Sequence, residues 1–211
     1  MIVPMFFLFE LIVLIFSVMI HEISHGYVAE RLGDPTARLA GRLTLNPLKH
    51  IDPVGSVILP LLLAIPALFG QPTIIFGWAK PVPYNPAYLK DPKRGAGAIA
   101  AAGPLSNFLL AAVFGVLLRS ISYDPPSLAL FFSVIILINI ALGVFNLLPL
   151  PPLDGSKVLF AFLPPTEKSF RLMRFLERNG FLLIIFFVFF GYELIIPVLS
   201  ALYLLFAGQP F

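Results

Sequence analysis

His21-Glu22-Ile23-Ser24-His25 sets two imidazoles four residues apart with a carboxylate between them. On an α-helix four residues turn about 400°, so His21 and His25 project from one face and can share a single metal ion. Glu22 lies about 100° around the helix, where it can take a proton from a water beside that ion. Two nitrogen ligands and a base on one helix are the equipment of metal-assisted hydrolysis. The setting is an apolar run in which Glu10 is the only charge before the motif. Ionisable side chains cost roughly 2.5–3.5 kcal/mol each at the centre of a bilayer, so three within five residues need a compensating partner, and a metal ion supplies one.

The whole chain confirms that solvent. Of 211 residues, 59% are hydrophobic and 12% charged, with 22 Phe and no Cys. Mean hydropathy is +0.95. Such a balance excludes an ordinary soluble domain and calls for several spans in a lipid bilayer. Without Cys there is neither a disulfide framework nor a thiolate metal site. The start of the chain lacks a basic n-region and a cleavage site, so its apolar run is expected to stay in the mature protein. A net charge of +3 invites nucleic acid as a partner, but the basic residues fall in short loops between spans, where membrane orientation explains them; no nucleic-acid partner is expected.

Apolar stretches that must position the motif run over 2–29, 95–118, 128–148 and 181–206, the last interrupted by Glu193 and Pro197. The stretch 54–69 is short for a span and carries Pro60 and Pro66, which suits a kinked or re-entrant segment. Gly and Ala over 95–103 allow another helix to approach closely. Residues 30–53 read as loop or short strands, and 70–86 hold too much Pro and Gly for helix. The expected fold is an all-α polytopic membrane protein, a helical bundle of about 4–6 membrane segments with a short extended or β element near 36–52 and 72–84. It reads as one domain over 1–211.

Basic residues orient it. Loops 30–53, 80–94 and 156–180 hold every Lys and Arg except Arg119. The positive-inside rule then puts the N-terminus outside, the end of the motif helix toward the cytoplasm, and lets 54–79 make no net crossing. A third ligand should lie on that same side. Asp154 fits, after a span that returns there; its other role would be to N-cap a short helix over 155–163. Asn146 could donate to a developing oxyanion or satisfy carbonyls freed near Pro149. Asn107 could pack helices or touch the site. His50 could reach the metal in an inactive state or hold its own loop. Glu10 and Glu193 are intramembrane charges near an interface and a bend.

His21-Glu22-Ile23-Ser24-His25, Gly103-Pro104-Leu105-Ser106-Asn107, Asn146-Leu147-Leu148-Pro149 and Leu153-Asp154-Gly155 together resemble the signatures of the site-2 protease family of intramembrane zinc metalloproteases. The chain is most similar to small prokaryotic members without a PDZ domain, which also carry sequences like 46–53 and 77–83. The resemblance implies one Zn2+ per chain held by His21, His25 and Asp154, Glu22 as catalytic base and Asn146 lining the site. It implies hydrolysis of peptide bonds in or near transmembrane segments, with single-span membrane proteins as substrates and a prokaryotic inner membrane as location. Substrate would unwind and could add as a strand to 72–84. A gate is expected from 54–69 or from 181–206. The alternative is a catalytically inactive zinc-binding membrane protein acting as a binding module; Glu22, superfluous for binding alone, speaks against it. Oligomeric state is not legible.

Overall fold

The computed structural model describes residues 2–68, 79–121 and 126–210. Helix α1 runs from Ile2 to Arg31 and carries the motif in its last third. It stops where Gly33 takes a φ of +104°, a left-handed conformation that glycine adopts without penalty. The Gly33 N–H then bonds Glu30 O, and the Asp34 N–H bonds Ala29 O. A single turn of helix follows, α2, Thr36–Leu39.

Asn46 then caps a 3-10 turn over Pro47–Lys49, its side chain accepting from the Leu48 N–H. Asp52 likewise accepts from the N–H groups of Val54 and Gly55 and starts a π-helical turn, Pro53–Ile58, that runs into α3, Leu59–Leu68. Where an extended element was expected near 36–52 there are instead short helical turns, Thr36–Leu39 and Pro47–Lys49, joined by turn and bend. Side-chain oxygens of Asn46 and Asp52 offered the backbone a local partner, which a lone strand could not. The 72–84 half of that expectation lies mostly outside the described residues; 79–84 are non-helical, and no strand occurs among the described residues.

Helix α4, Pro92–Ser120, opens with Asp91 accepting from the Arg94 N–H and is the hub of the bundle. It packs against α1, against α5 (Pro126–Asn146), against α6 (Asp154–Phe162) and against α8 (Tyr192–Ala207). Its small residues make this possible, as the sequence suggested. Gly97 meets Ala161 of α6, and Gly115 meets the backbone of Phe206 on α8, with no room for a Cβ at either. Ala111, Leu118, Ile136, Ile140, Tyr203 and Ala207 form the buried core where α4, α5 and α8 meet.

Among the described residues three helices are long and apolar enough to cross a membrane, Phe6–Arg31, Pro92–Ser120 and Leu128–Asn146. A fourth crossing is possible as a pair, since α7 (Glu167–Phe190) and α8 meet at a bend of 74°. Residues 181–206 therefore belong to two helices that meet at Gly191. Helix α7 also reaches back through the basic segment to Thr166, whose hydroxyl accepts from the Ser169 N–H.

Candidate metal centre

The motif turns His21 and His25 toward α4 and the start of α6. Their rings stand perpendicular, with centroids 4.7 Å apart. Asp154 Oδ2 lies 3.0 Å from His21 Nε2 and 3.1 Å from His25 Nε2. His21 and Asp154 are buried, and His25 nearly so. A ligand atom from each of the three lies within 4.8 Å of the others, a group that could hold one metal ion. Asp154 is the first residue of α6 and its side chain makes no capping bond, so the capping role weighed for it is not the one it plays.

Both imidazoles are held from behind. His21 Nδ1 donates to Asn107 Oδ1 at 2.6 Å, and His25 Nδ1 donates to the Ile99 carbonyl at 2.7 Å. A carbonyl can only accept, so each neutral ring carries its proton on Nδ1 and presents the Nε2 lone pair to the carboxylate. Two ring nitrogens and a carboxylate oxygen at 3.0 and 3.1 Å are held together either by protons on the nitrogens or by a metal cation among all three. A tetrahedral zinc with ligands at about 2.0 Å sets them about 3.3 Å apart, and the two nitrogen–carboxylate distances, 3.0 and 3.1 Å, match this within a few tenths of an ångström. The donors fit zinc.

Close approach to α4 rests on Gly103. A Cβ there would stand 2.5 Å from His21 Nε2 and 2.5 Å from His25 Cε1. On the other side of Asp154, Lys157 Nζ lies 3.6 Å from Oδ1 and 6.0 Å from the centre of the Tyr84 ring.

Glu22 faces a different neighbour. Its Oε2 accepts from the Val82 N–H at 2.9 Å, at the near end of the non-helical segment 79–85. That segment is strapped down along its length. The buried Arg42 guanidinium donates to the carbonyls of Lys80 and Pro81, and the Lys80 N–H donates to His50 O. Asp34, fully buried, accepts from Asn85 N–H, from Thr36 N–H and from the Thr36 hydroxyl. Burial pushes the Asp34 carboxyl up, and the Thr36 hydroxyl with the two backbone donors more than offsets this, holding it below the usual range. The strap crosses α1 at Gly26, where a Cβ would come within 2.9 Å of Val82 and 2.6 Å of Leu43.

Other residues singled out in the sequence fall elsewhere. Asn146 closes α5 and donates to Leu142 O, one turn back, at 3.0 Å. His50 is buried outside the cluster, with Nε2 bonded to the Thr44 carbonyl at 2.9 Å. Glu10 is half-buried on α1, and Glu193 is exposed near the start of α8. Asn107 both packs helices and touches the site, because its Nδ2 donates to Asn139 Oδ1 at 3.0 Å. Asn139 and Ser17 were missed in the sequence. Asn139, in the middle of the apolar run of α5, was the available signal, since a polar group at that depth needs a partner.

The bundle and its buried His-His-Asp group beside a carboxylate define a multi-pass membrane protein built for metal-dependent hydrolysis. Residues 122–189 match Peptidase family M50. A Bacillus subtilis (strain 168) protein named "Putative zinc metalloprotease YwhC" is 39% identical over 200 residues, which cover 90% of this chain and 85% of the relative. "Putative zinc metalloprotease Rip2" of Mycolicibacterium smegmatis is 33% identical over 175 residues, 80% of this chain and 62% of the relative. "Zinc metalloprotease MJ0392" of Methanocaldococcus jannaschii is 24% identical over 200 residues, 94% of this chain and 48% of the relative. No solved structure matches. The chain belongs to peptidase family M50, the site-2 protease family, and is a membrane zinc metalloprotease.

Proposed function

We propose that the chain hydrolyses peptide bonds in or near transmembrane segments of single-span membrane proteins, in a prokaryotic inner membrane. His21, His25 and Asp154 hold the zinc, and Glu22 is the base. The observation that carries this reading is the convergence of two Nε2 nitrogens and one carboxylate oxygen at 3.0 and 3.1 Å, with Glu22 on the adjacent helix position. Zinc in such a site polarises the scissile carbonyl and acidifies water. Glu22 takes the proton of the attacking water and delivers it to the leaving amine nitrogen. Asn107 and the Ile99 carbonyl keep both imidazoles turned toward the ion, and Lys157 draws Asp154 Oδ1 away from it. Asn146, at the end of α5, is a candidate donor to the developing oxyanion once its amide leaves Leu142 O.

The basic loops support an N-terminus outside and a site toward the cytoplasm. Residues 1–211 act as one domain. Substrate arrives from lipid, so a gate must open to admit it while otherwise keeping the ligands and their water from lipid. Helix α3 suits that role: Leu61, Leu62 and Ile65 are exposed, and it follows a π-helical turn, a weak point in a helix. The test is Glu22→Gln in detergent with a single-span substrate. The glutamine oxygen can still accept from Val82, so zinc should stay bound while cleavage falls by about 10²–10⁴-fold. Turnover near wild type would remove Glu22 from the mechanism.

A further inference from the structure

Ser17 on α1, Asn107 on α4 and Asn139 on α5 are each buried, at 3%, 0% and 0% exposure, where the three helices meet. We propose that Asn139 is a positioning residue for catalysis, which fixes the tautomer of His21 by fixing which way the Asn107 amide points. The proposal rests on His21 being a zinc ligand. Its logic is a chain of donors and acceptors that can be read in only one direction.

Asn139 Nδ2 donates to the Ile135 carbonyl at 2.9 Å and to Ser17 Oγ at 2.9 Å. Ile135 O can only accept, so the Asn139 amide cannot be turned over, and its Oδ1 must face Asn107. Asn107 Nδ2 donates to that oxygen at 3.0 Å, with Ser17 O a further acceptor at 3.4 Å. The Asn107 oxygen is thereby left facing His21 Nδ1 at 2.6 Å. An oxygen there puts the imidazole proton on Nδ1 and frees Nε2 for the metal.

The contrast with His25 explains why such a relay is needed. His25 Nδ1 donates to the backbone carbonyl of Ile99, which cannot flip. His21 leans on a side-chain amide, which rotated by 180° would present N–H groups to Nδ1 and drive the proton to Nε2. That state cannot bind zinc until it reverts. Asn139 removes it. A simpler role, hydrogen-bonded glue between helices, accounts for burial of the trio but predicts no selective effect on the metal.

The experiment uses the full chain in detergent, with zinc affinity from chelator competition and ligand geometry from the cobalt-substituted absorption spectrum. Asn139→Leu deletes the acceptor. Asn139→Ser does so more gently, since its hydroxyl can bond its own helix carbonyl four residues back. Asn139→Asp keeps an acceptor oxygen for the Asn107 amide. Zinc affinity should fall about 10–100-fold in the Leu and Ser proteins, with an altered cobalt spectrum, and return to within about threefold of wild type in the Asp protein. If the Leu protein does not fold, the Ser protein carries the test. Wild-type affinity and spectrum in folded Asn139→Ser would overturn the relay, as would an Asp protein no better than the Ser protein. Asp154→Ala runs alongside: if it keeps wild-type zinc affinity, the ligand set itself is wrong; if it alone loses zinc, only the relay fails.

Discussion

Replacing Gly103 by alanine adds one methyl group where α4 meets His21 and His25, the proposed zinc ligands. That methyl would stand 2.5 Å from His21 Nε2, 2.6 Å from His21 Cε1 and 2.5 Å from His25 Cε1. Non-bonded carbons settle at about 3.5 Å, so both rings must retreat by about 1 Å. They have nowhere to go, because Asn107 and Ile99 hold their far nitrogens at 2.6 and 2.7 Å. A zinc site tolerates ligand displacements of about 0.2 Å, several times less than the alanine demands. A misplacement of about 1 Å costs about 10²-fold in rate, equivalent to about 2.7 kcal/mol. Zinc content by mass spectrometry under native conditions and cleavage of a single-span peptide in detergent measure the two halves of this loss. The exposed Leu105, two residues along α4, supplies a Leu105→Ala control expected to behave as wild type. A Gly103→Ala protein that keeps full zinc and more than about half the cleavage rate would refute the claim that the close approach of α4 sets ligand geometry.

Asp34→Asn should destabilise the chain at neutral pH and matter less in acid. The folded carboxyl titrates below its unfolded value, so its contribution is complete above about pH 4 and fades as pH falls through the folded value. Thermal unfolding of both proteins from pH 3 to 7 checks this, and a gap that widens in acid would contradict it. Cross-linking engineered cysteines on α3 to others on α4, in a chain with no native Cys, should block cleavage of a membrane substrate while leaving zinc bound. Undiminished proteolysis in fully cross-linked protein would move the gate to α7 and α8.

What the sequence revealed divides along the range of the interaction. His21, Glu22 and His25 were legible because helical spacing alone places them. Asp154 was legible through one further step, the side of the membrane to which its loop returns. Asn139 and Ser17 were not, since their meeting depends on the rotational phase of α1, α4 and α5, and helices apolar on every side carry no stripe from which to read it. Residues 36–52 misled because Pro, Gly and Asn mark a break in long helices without saying what fills it; Asn46 and Asp52 fill it with caps. Charge misled at α7, where Thr166 and its bond to Ser169 began a helix inside what read as a polar loop. Gly191 was visible as an interruption, but the 74° bend is a tertiary result.

Four of the contacts that hold these side chains in place come from backbone atoms: the Val82 N–H on Glu22, the Ile99 carbonyl on His25, and the Lys80 and Pro81 carbonyls on Arg42. A main-chain group is supplied by any residue of tolerable size, except that proline has no N–H to offer at 82. Positions 80, 82 and 99 are therefore free to drift in a library of variants as long as their volume suits, whereas 22, 25 and 42 are not. The His21 side of the centre is written in side chains, and there a change at 17, 107 or 139 has to keep the donor or acceptor that its neighbour uses. One metal site thus carries two mutational regimes, one insulated from its neighbours' identities and one locked to them.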